Sequence, residues 1–376
     1  MTSQFSTEAT AAATTATPDR SALQRVPDRA TAPGGAPGVV VDVRDGRCTW
    51  FGSAGVSDTG TREKRRPSER FRIGSTTKAF TATLVLQLAA AGRLGLDDTM
   101  ERWLPGMVAG NGYDGRAITI RQLLNHTSGI FNYGNDAQFF TKGIGEAWLR
   151  HRYDTYAPEE LIRIGLATPP SFAPGEAFLY SNTNYFLAAL IVEKITGGTF
   201  AEALDRRIVR PLGLTGTYLP GTDPTIQGPH TRHYSTLFAS DAQPEIHDAT
   251  DMNQSFAWAA GGVISTTGDL QRFFGALLQG HLLPTEQQRE MFTTVDTTGP
   301  VPWIPGTRYG LGVFSWVLPS GVTVWGNAGA TYGSWTCAMG SRDGKHLLTG
   351  QVNGDWSGLG VLVDILTTEF GATSGS

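Results

Sequence analysis

The sequence is short of several things, and each shortage removes a class of protein. Only two cysteines, Cys48 and Cys337, occur in 376 residues. That is too few for a disulfide-stapled scaffold, and both lie in strand-like runs, so they read as small hydrophobes rather than a bridge. Long apolar runs are missing too. The longest, around Phe186–Val192, is far below the roughly 18 residues of a membrane-spanning helix, so a core helix fragment and no membrane partner are expected. Charge of one sign is scarce: a formal net charge of −4 and a pI near 6.0 argue against a nucleic-acid partner. There is no G-x-S-x-G elbow, which argues against an α/β-hydrolase. Gly110–Gly115 fits G-x-G-x-x-G, but no strand precedes it and no helix follows, so it reads as a loop. His230, His233 and His247 have no cysteine or spaced acid beside them, and neither a metal nor another cofactor is expected.

Large apolar residues are also sparse over residues 1–33, which are rich in Ala, Thr and Ser. Such a segment buries too little to offset its ordering entropy, so a disordered tail is predicted there. It carries neither a basic n-region nor an apolar h-region, and a cytoplasmic location is expected unless a signal was removed.

What is present begins with strands. Gly38–Arg44 and Cys48–Phe51 flank Asp45-Gly46, a strong hairpin signal. A helix is predicted from Ala79 towards Leu94, stopped near Gly92, and a short one ends at Pro105. Further helices are predicted at Ile118–Leu124, Pro158–Ala167, Asn184–Thr196, Phe200–Ile208 and Gly268–Leu278. Strand-like runs follow at Tyr309–Trp316, Gly321–Gly326, Ser334–Gly340 and Leu347–Asn353, then a last helix at about 358–370. Strands at both ends with helices between them predict an α+β protein with an antiparallel sheet of five or more strands flanked by helices. The sheet domain would comprise residues 34–74 and 255–376, and a mainly helical domain residues 75–254, with the active site at their junction.

Three stretches carry chemistry. Ser75 and Lys78 stand three residues apart at the start of the first long helix, so hydroxyl and amine share a face. A serine is a poor nucleophile until a neighbour takes its proton, and a desolvated lysine can do so. Tyr180-Ser181-Asn182 adds a phenol, whose pKa a lysine ammonium would lower towards working pH. Its Asn182 amide is suited to a substrate carbonyl and to orienting Lys78. Trp325–Ser334 places Asn327, Ala328, Gly329 and Ala330 at the end of a strand, where small residues allow a backbone to approach a ligand. Loop aromatics at Tyr133, Phe256, Trp258, Trp303 and Tyr332 are candidates for lining an apolar cleft. His126 reads as a structural residue beside it.

These three stretches, with Leu123–Gly129 and Tyr309-Gly310-Leu311-Gly312 in the same order, resemble the penicillin-binding protein and serine β-lactamase superfamily. The likeness is closest to the branch of class C β-lactamases, DD-peptidases, D-aminopeptidases and family VIII esterases, and it runs from about Pro37 to Phe370. It implies the β-lactamase/transpeptidase fold, Ser75 as acylated nucleophile, Lys78 as its proton-managing partner and Tyr180 as general base and acid. It also implies Asn182 on the substrate's acyl-side amide and the amides of Ser75 and Ala330 as the oxyanion hole.

The departures narrow the substrate. The family's third motif usually begins with Lys or His followed by a hydroxyl residue and Gly; here it is Asn327, Ala328, Gly329. The position aligned with a carboxylate-clamping Arg on the preceding strand is Phe314. A carboxylate buried against such groups would be unpaired and costly. The expected activity is therefore that of a serine acyl hydrolase or acyltransferase on a small-molecule or peptide ester or amide without a free carboxylate beside the scissile bond. Peptide or natural-product (antibiotic) metabolism is the expected setting. A D-Ala-D-Ala carboxypeptidase or β-lactamase is the alternative, and an inactive binding protein of the same fold is the second. Monomer and dimer both remain open.

Overall fold

The computed structural model describes residues 19–46, 48–239 and 243–371. Its central element is an eight-stranded sheet, antiparallel throughout. The strands in chain order are β1 (Gly38–Asp45), β2 (Cys48–Gly55), β3 (Val295–Asp296), β4 (Thr307–Tyr309), β5 (Phe314–Val317), β6 (Thr323–Thr331), β7 (Ser334–Gly340) and β8 (His346–Val352). Across the sheet they lie β2-β1-β8-β7-β6-β5-β4-β3. The hairpin at Asp45-Gly46 closes with Asp45 opposite Cys48, and β1 then pairs with β8, Val39 opposite Val352. One sheet is thus assembled from both ends of the chain, and the α+β architecture is the one expected.

Alternation along β1 sends Val39, Val41 and Val43 to one face, where two helices cover them. These are α1 (Ser21–Ala30) and α5 (Gly358–Gly371), which contribute Leu23, Val26, Leu362, Ile365, Leu366 and Phe370 to the same core. The opposite face carries α4 (Thr267–Leu278), whose Gln271 Nε2 donates to the Asp42 carbonyl at 2.7 Å. Beyond α4 lie two helices that are apolar on all sides, as helices in a core interior must be. They are α2 (Thr77–Ala90) and α3 (Asn182–Thr196), and Phe80 of α2 stacks on Phe273 of α4 with ring centroids 3.7 Å apart. Gly197, at φ 71, ends α3 in the left-handed conformation that glycine adopts without strain. Cys48 and Cys337 are free thiols. Among the described residues no helix is long and apolar enough to cross a membrane.

The predicted disordered tail is corrected in part. Residues 1–18 lie outside the described residues, but Ser21–Ala30 is a helix packed on the sheet, with Leu23 and Val26 each 2% exposed. Arg20, just before it, is buried and paired with Glu369 of α5, Nη2 to Oε1 at 2.8 Å. Two apolar residues at i and i+3 are a faint signal. The ion pair that anchors them comes from 349 residues away. The single strand predicted at Tyr309–Trp316 is two strands, β4 and β5, joined through Gly312 at φ 74. The run predicted as one helix at Phe200–Ile208 passes from α-helix at Phe200–Leu204 into a π-turn at Asp205–Val209.

Candidate active site

Ser75 stands in a tight 3-10 turn, Gly74–Thr76, that leads directly into α2. The turn is pressed against β6. A Cβ on Gly74 would lie 2.6 Å from the Ala330 carbonyl oxygen, and one on Gly329 would lie 2.1 Å from the Ile73 carbonyl oxygen and 2.6 Å from the Ser75 nitrogen. Neither position tolerates a side chain, and the two glycines bring the backbones of Ser75 and Ala330 side by side.

Lys78 begins one turn further on and is 0% exposed. Its Nζ lies 3.2 Å from Ser75 Oγ, 2.7 Å from Asn182 Oδ1 and 2.8 Å from the Ala260 carbonyl oxygen. None of these partners is a carboxylate, so nothing offsets the desolvation of a charged amine. Burial drives the Lys78 pKa well below its ordinary value. A neutral amine has two N–H bonds and a lone pair. Asn182 Oδ1, the Ala260 carbonyl and Ser75 Oγ all stand as acceptors around Nζ; in the neutral form Asn182 and Ala260 would keep the two N–H bonds and a lone pair would face the Ser75 hydroxyl.

Tyr180 arrives on the loop before α3 and donates its O–H to Ser75 Oγ at 2.7 Å. The expectation that a lysine ammonium lowers its pKa is overturned. Burial raises it, opposed by the hydrogen bond to Ser75. Lys78 Nζ sits 4.7 Å from the centre of the Tyr180 ring. Burial thus moves the amine towards its uncharged form and holds the phenol protonated.

Of these groups Ser75 and Asn182 open onto a cleft of about 620 Å³, its open mouth included, while Lys78 is buried behind them. Ser75, Asn182, Tyr133, Phe256, Tyr332 and Ala330, all singled out from sequence, line it. Tyr133 donates its O–H to the Phe256 carbonyl, and Tyr332 donates to the Gly143 carbonyl at 2.8 Å, so both rings are fixed. A second cavity of about 450 Å³ shares the walls Phe139, Phe256 and Tyr332. Among the described residues that line the cleft there is no Arg, Lys or His.

Four candidates are not at the cleft. Asn327 is 2% exposed, and its Nδ2 donates to the Gly312 carbonyl at 2.7 Å, because the pleat of β6 turns it under the sheet towards α2. Phe314 is 1% exposed and faces Tyr309 and Trp316 in the core. Trp258 is wedged between Phe186 and Phe200. Trp303 stacks on the outer side of Tyr180, centroids 5.9 Å apart, and borders a separate surface hollow. Gly329 acts through the room it leaves, as described above.

Three contributors went unseen in the sequence. The Ala260 carbonyl that holds Lys78 is backbone and has no side-chain signature, although the run Ala259-Ala260-Gly261-Gly262 is small enough to hint at a close approach. Asn132 accepts the Asn182 N–H on its Oδ1 at 3.2 Å. Phe139 supplies a wall from a short helix with no motif at all.

Comparison with known proteins agrees with this geometry. The model of the Beta-lactamase family matches residues 22–369. Penicillin-binding protein 4* of Bacillus subtilis (strain 168) is 29% identical over 291 residues, a match covering 75% of this chain and 59% of that protein. The chain thus spans less than two thirds of that relative's length. Among solved structures, a D-stereospecific amidohydrolase from Streptomyces sp. is 45% identical with a TM-score of 0.87, covering 95% of this chain and 100% of the other. D-amino acid amidase from Ochrobactrum anthropi SV3 is 25% identical with a TM-score of 0.79, covering 94% and 99%. A match of this extent, over a fold that brings the serine of the first motif to an open cleft, shows the family: the chain belongs to the Beta-lactamase family.

Proposed function

We propose that this protein is a serine amidohydrolase that acylates Ser75 with a D-configured acyl donor without a free carboxylate beside the scissile amide or ester. The observation that carries the reading is the trio behind the cleft, with Ser75 Oγ 3.2 Å from Lys78 Nζ and 2.7 Å from Tyr180 Oη, and no Arg, Lys or His among the described residues that line the cleft itself. The similarity to enzymes named D-stereospecific amidohydrolase and D-amino acid amidase supports the amide bond and the D configuration. The absence of Arg, Lys and His among the described lining residues supports a donor without an adjacent carboxylate, since an anion there would be desolvated without a partner.

The proposed steps start from an unprotonated Lys78 and a protonated Tyr180, the direction in which burial moves both groups. Neutral Lys78 takes the Ser75 proton as Oγ attacks the carbonyl carbon, and the oxyanion is met by the amides of Ser75 and Ala330. The C–N bond breaks as Tyr180 donates its phenol proton to the leaving nitrogen. The phenolate so formed lies next to the new Lys78 ammonium, which stabilises it. Tyr180 then removes a proton from water, the hydroxide attacks the acyl carbon, and Lys78 returns its proton to the departing Ser75 oxygen. One amide and one water become one acid and one amine, and all three side chains return to their starting states.

Turnover of D- and L-phenylalanine amide, a D-Ala-D-Ala peptide and nitrocefin on the same enzyme tests the reading, with intact-protein mass spectrometry of the trapped intermediate. Preferential hydrolysis of the D-amide, with an acyl adduct that Ser75→Ala lacks, is the expected result. Faster turnover of the D-Ala-D-Ala peptide or of nitrocefin would restore the carboxypeptidase or β-lactamase reading, and no adduct with any substrate would leave an inactive binding protein. An added amine that captures the acyl group would extend the activity to transfer.

A further inference from the structure

We infer that His126 is a positioning residue for Tyr180, a neutral acceptor that fixes the backbone on both sides of the phenol. The inference rests on the acyl-enzyme reading above, in which Tyr180 must stay within hydrogen-bond reach of Ser75. His126 lies just beyond the helix Ile120–Leu124 and is held at φ 62, a left-handed conformation uncommon for a residue with a side chain. That conformation directs two acceptors of one residue at the same neighbouring segment. The His126 carbonyl accepts the Leu179 N–H at 2.9 Å, and its Nδ1 accepts the Ser181 N–H at 3.2 Å. The residues immediately before and after Tyr180 are thereby tied to one point.

The ring completes the clamp. It is fully buried, and its centroid lies 4.4 Å from that of Tyr180, with Tyr309, Tyr185 and Phe178 closing round it at 4.8, 5.3 and 5.9 Å. The other polar groups facing it are the Asn184 amide, 3.4 Å from Nδ1, and the Lys78 amine; no carboxylate is among them. An Nδ1 that accepts a backbone N–H carries no proton. Burial keeps the imidazole pKa well below the ordinary histidine value, so the acceptor persists at neutral pH. Displacing Tyr180 by an ångström would break a 2.7 Å contact on which proton transfer depends.

The test is a double-mutant cycle on one D-amide substrate, using His126→Leu, Tyr180→Phe and the double variant, with His126→Asn as the conservative replacement. His126→Leu is expected to lower kcat roughly 100-fold while KM changes less than about threefold. Asparagine tolerates the left-handed backbone and offers an amide oxygen near the place of Nδ1, so His126→Asn should recover activity to within about tenfold of the starting protein. The double variant should lose no more than Tyr180→Phe alone, since the two changes disable one device. If the Leu variant does not fold, His126→Gly replaces it, because glycine has no steric objection to that φ. Multiplying losses in the double variant, a loss confined to KM, or no recovery with Asn would overturn the inference. Unchanged turnover in Tyr180→Phe would instead remove the phenol from the reaction and with it the acyl-enzyme scheme proposed here.

Discussion

On one side of the cleft the reactive groups are side chains on the first turn of a helix; on the other, a strand presents mainly backbone. Ser75 and Lys78 meet because a helix places residues three apart on one face, and their contact is local. β6 contributes differently. Its Gly329 has no side chain, its Asn327 is turned away under the sheet, and Ala330 reaches the cleft largely through its main chain. The difference shows that a helix turn pairing a serine with a lysine is specified by residue type and spacing, whereas the strand opposite is specified by what its residues leave out. It also changes the reason for the missing carboxylate clamp. Asn327 and Phe314 do not present poor clamping groups to a substrate; they present nothing, being sealed in the core.

The sharpest way to break the contrast is to remove the amine. Lys78→Met should lower kcat by about 10³-fold or more on an amide, consistent with the loss of a general base. Because burial depresses the Lys78 pKa, the amine is competent above that pKa, and activity falls as the pH drops through it. The residual rate of Lys78→Met should lack that acid limb, and an unchanged pH–kcat profile in this variant would assign the limb to another group. The strand side is tested next by Gly329→Ala. Its Cβ has to displace the Ile73 carbonyl or β6 itself, so the expected result is a loss of stability of about 1–3 kcal/mol and a fall in kcat of roughly tenfold or more. A fully active Gly329→Ala would mean that β6 need not approach Ser75. The smallest effect on chemistry is expected from Asn327→Ala. It leaves the Gly312 carbonyl without its partner, a cost of about 1–3 kcal/mol seen in thermal melts. The kcat/KM ratio between neutral and carboxylate-bearing amides should not move. If it does, the Asn327 side chain touches substrate after all.

Legibility followed the range of the interaction. The Ser75–Lys78 pair and the hairpin at Asp45-Gly46 depend on neighbours within a few residues, so their spacing was informative. The α1 helix did not announce itself, because its buried Leu23 and Val26 are held by α5 and by Glu369 at the far end of the chain. The aromatics divided in the same way. Tyr133 and Tyr332 reach the cleft, but Trp258 and Trp303 look the same in sequence and were sent elsewhere by the packing of Phe186, Phe200 and Tyr180.

By itself the sequence determined the α+β class, most of the elements in their order and Ser75, Lys78, Tyr180 and Asn182 as residues that meet, because residue type and periodicity act locally. Only the tertiary structure decided the direction of their pKa shifts and which way the pleat of β6 faces. The Lys78 pKa is pushed down and the Tyr180 pKa up because the assembled core removes water from both, and no stretch of chain shorter than the whole fold can do that.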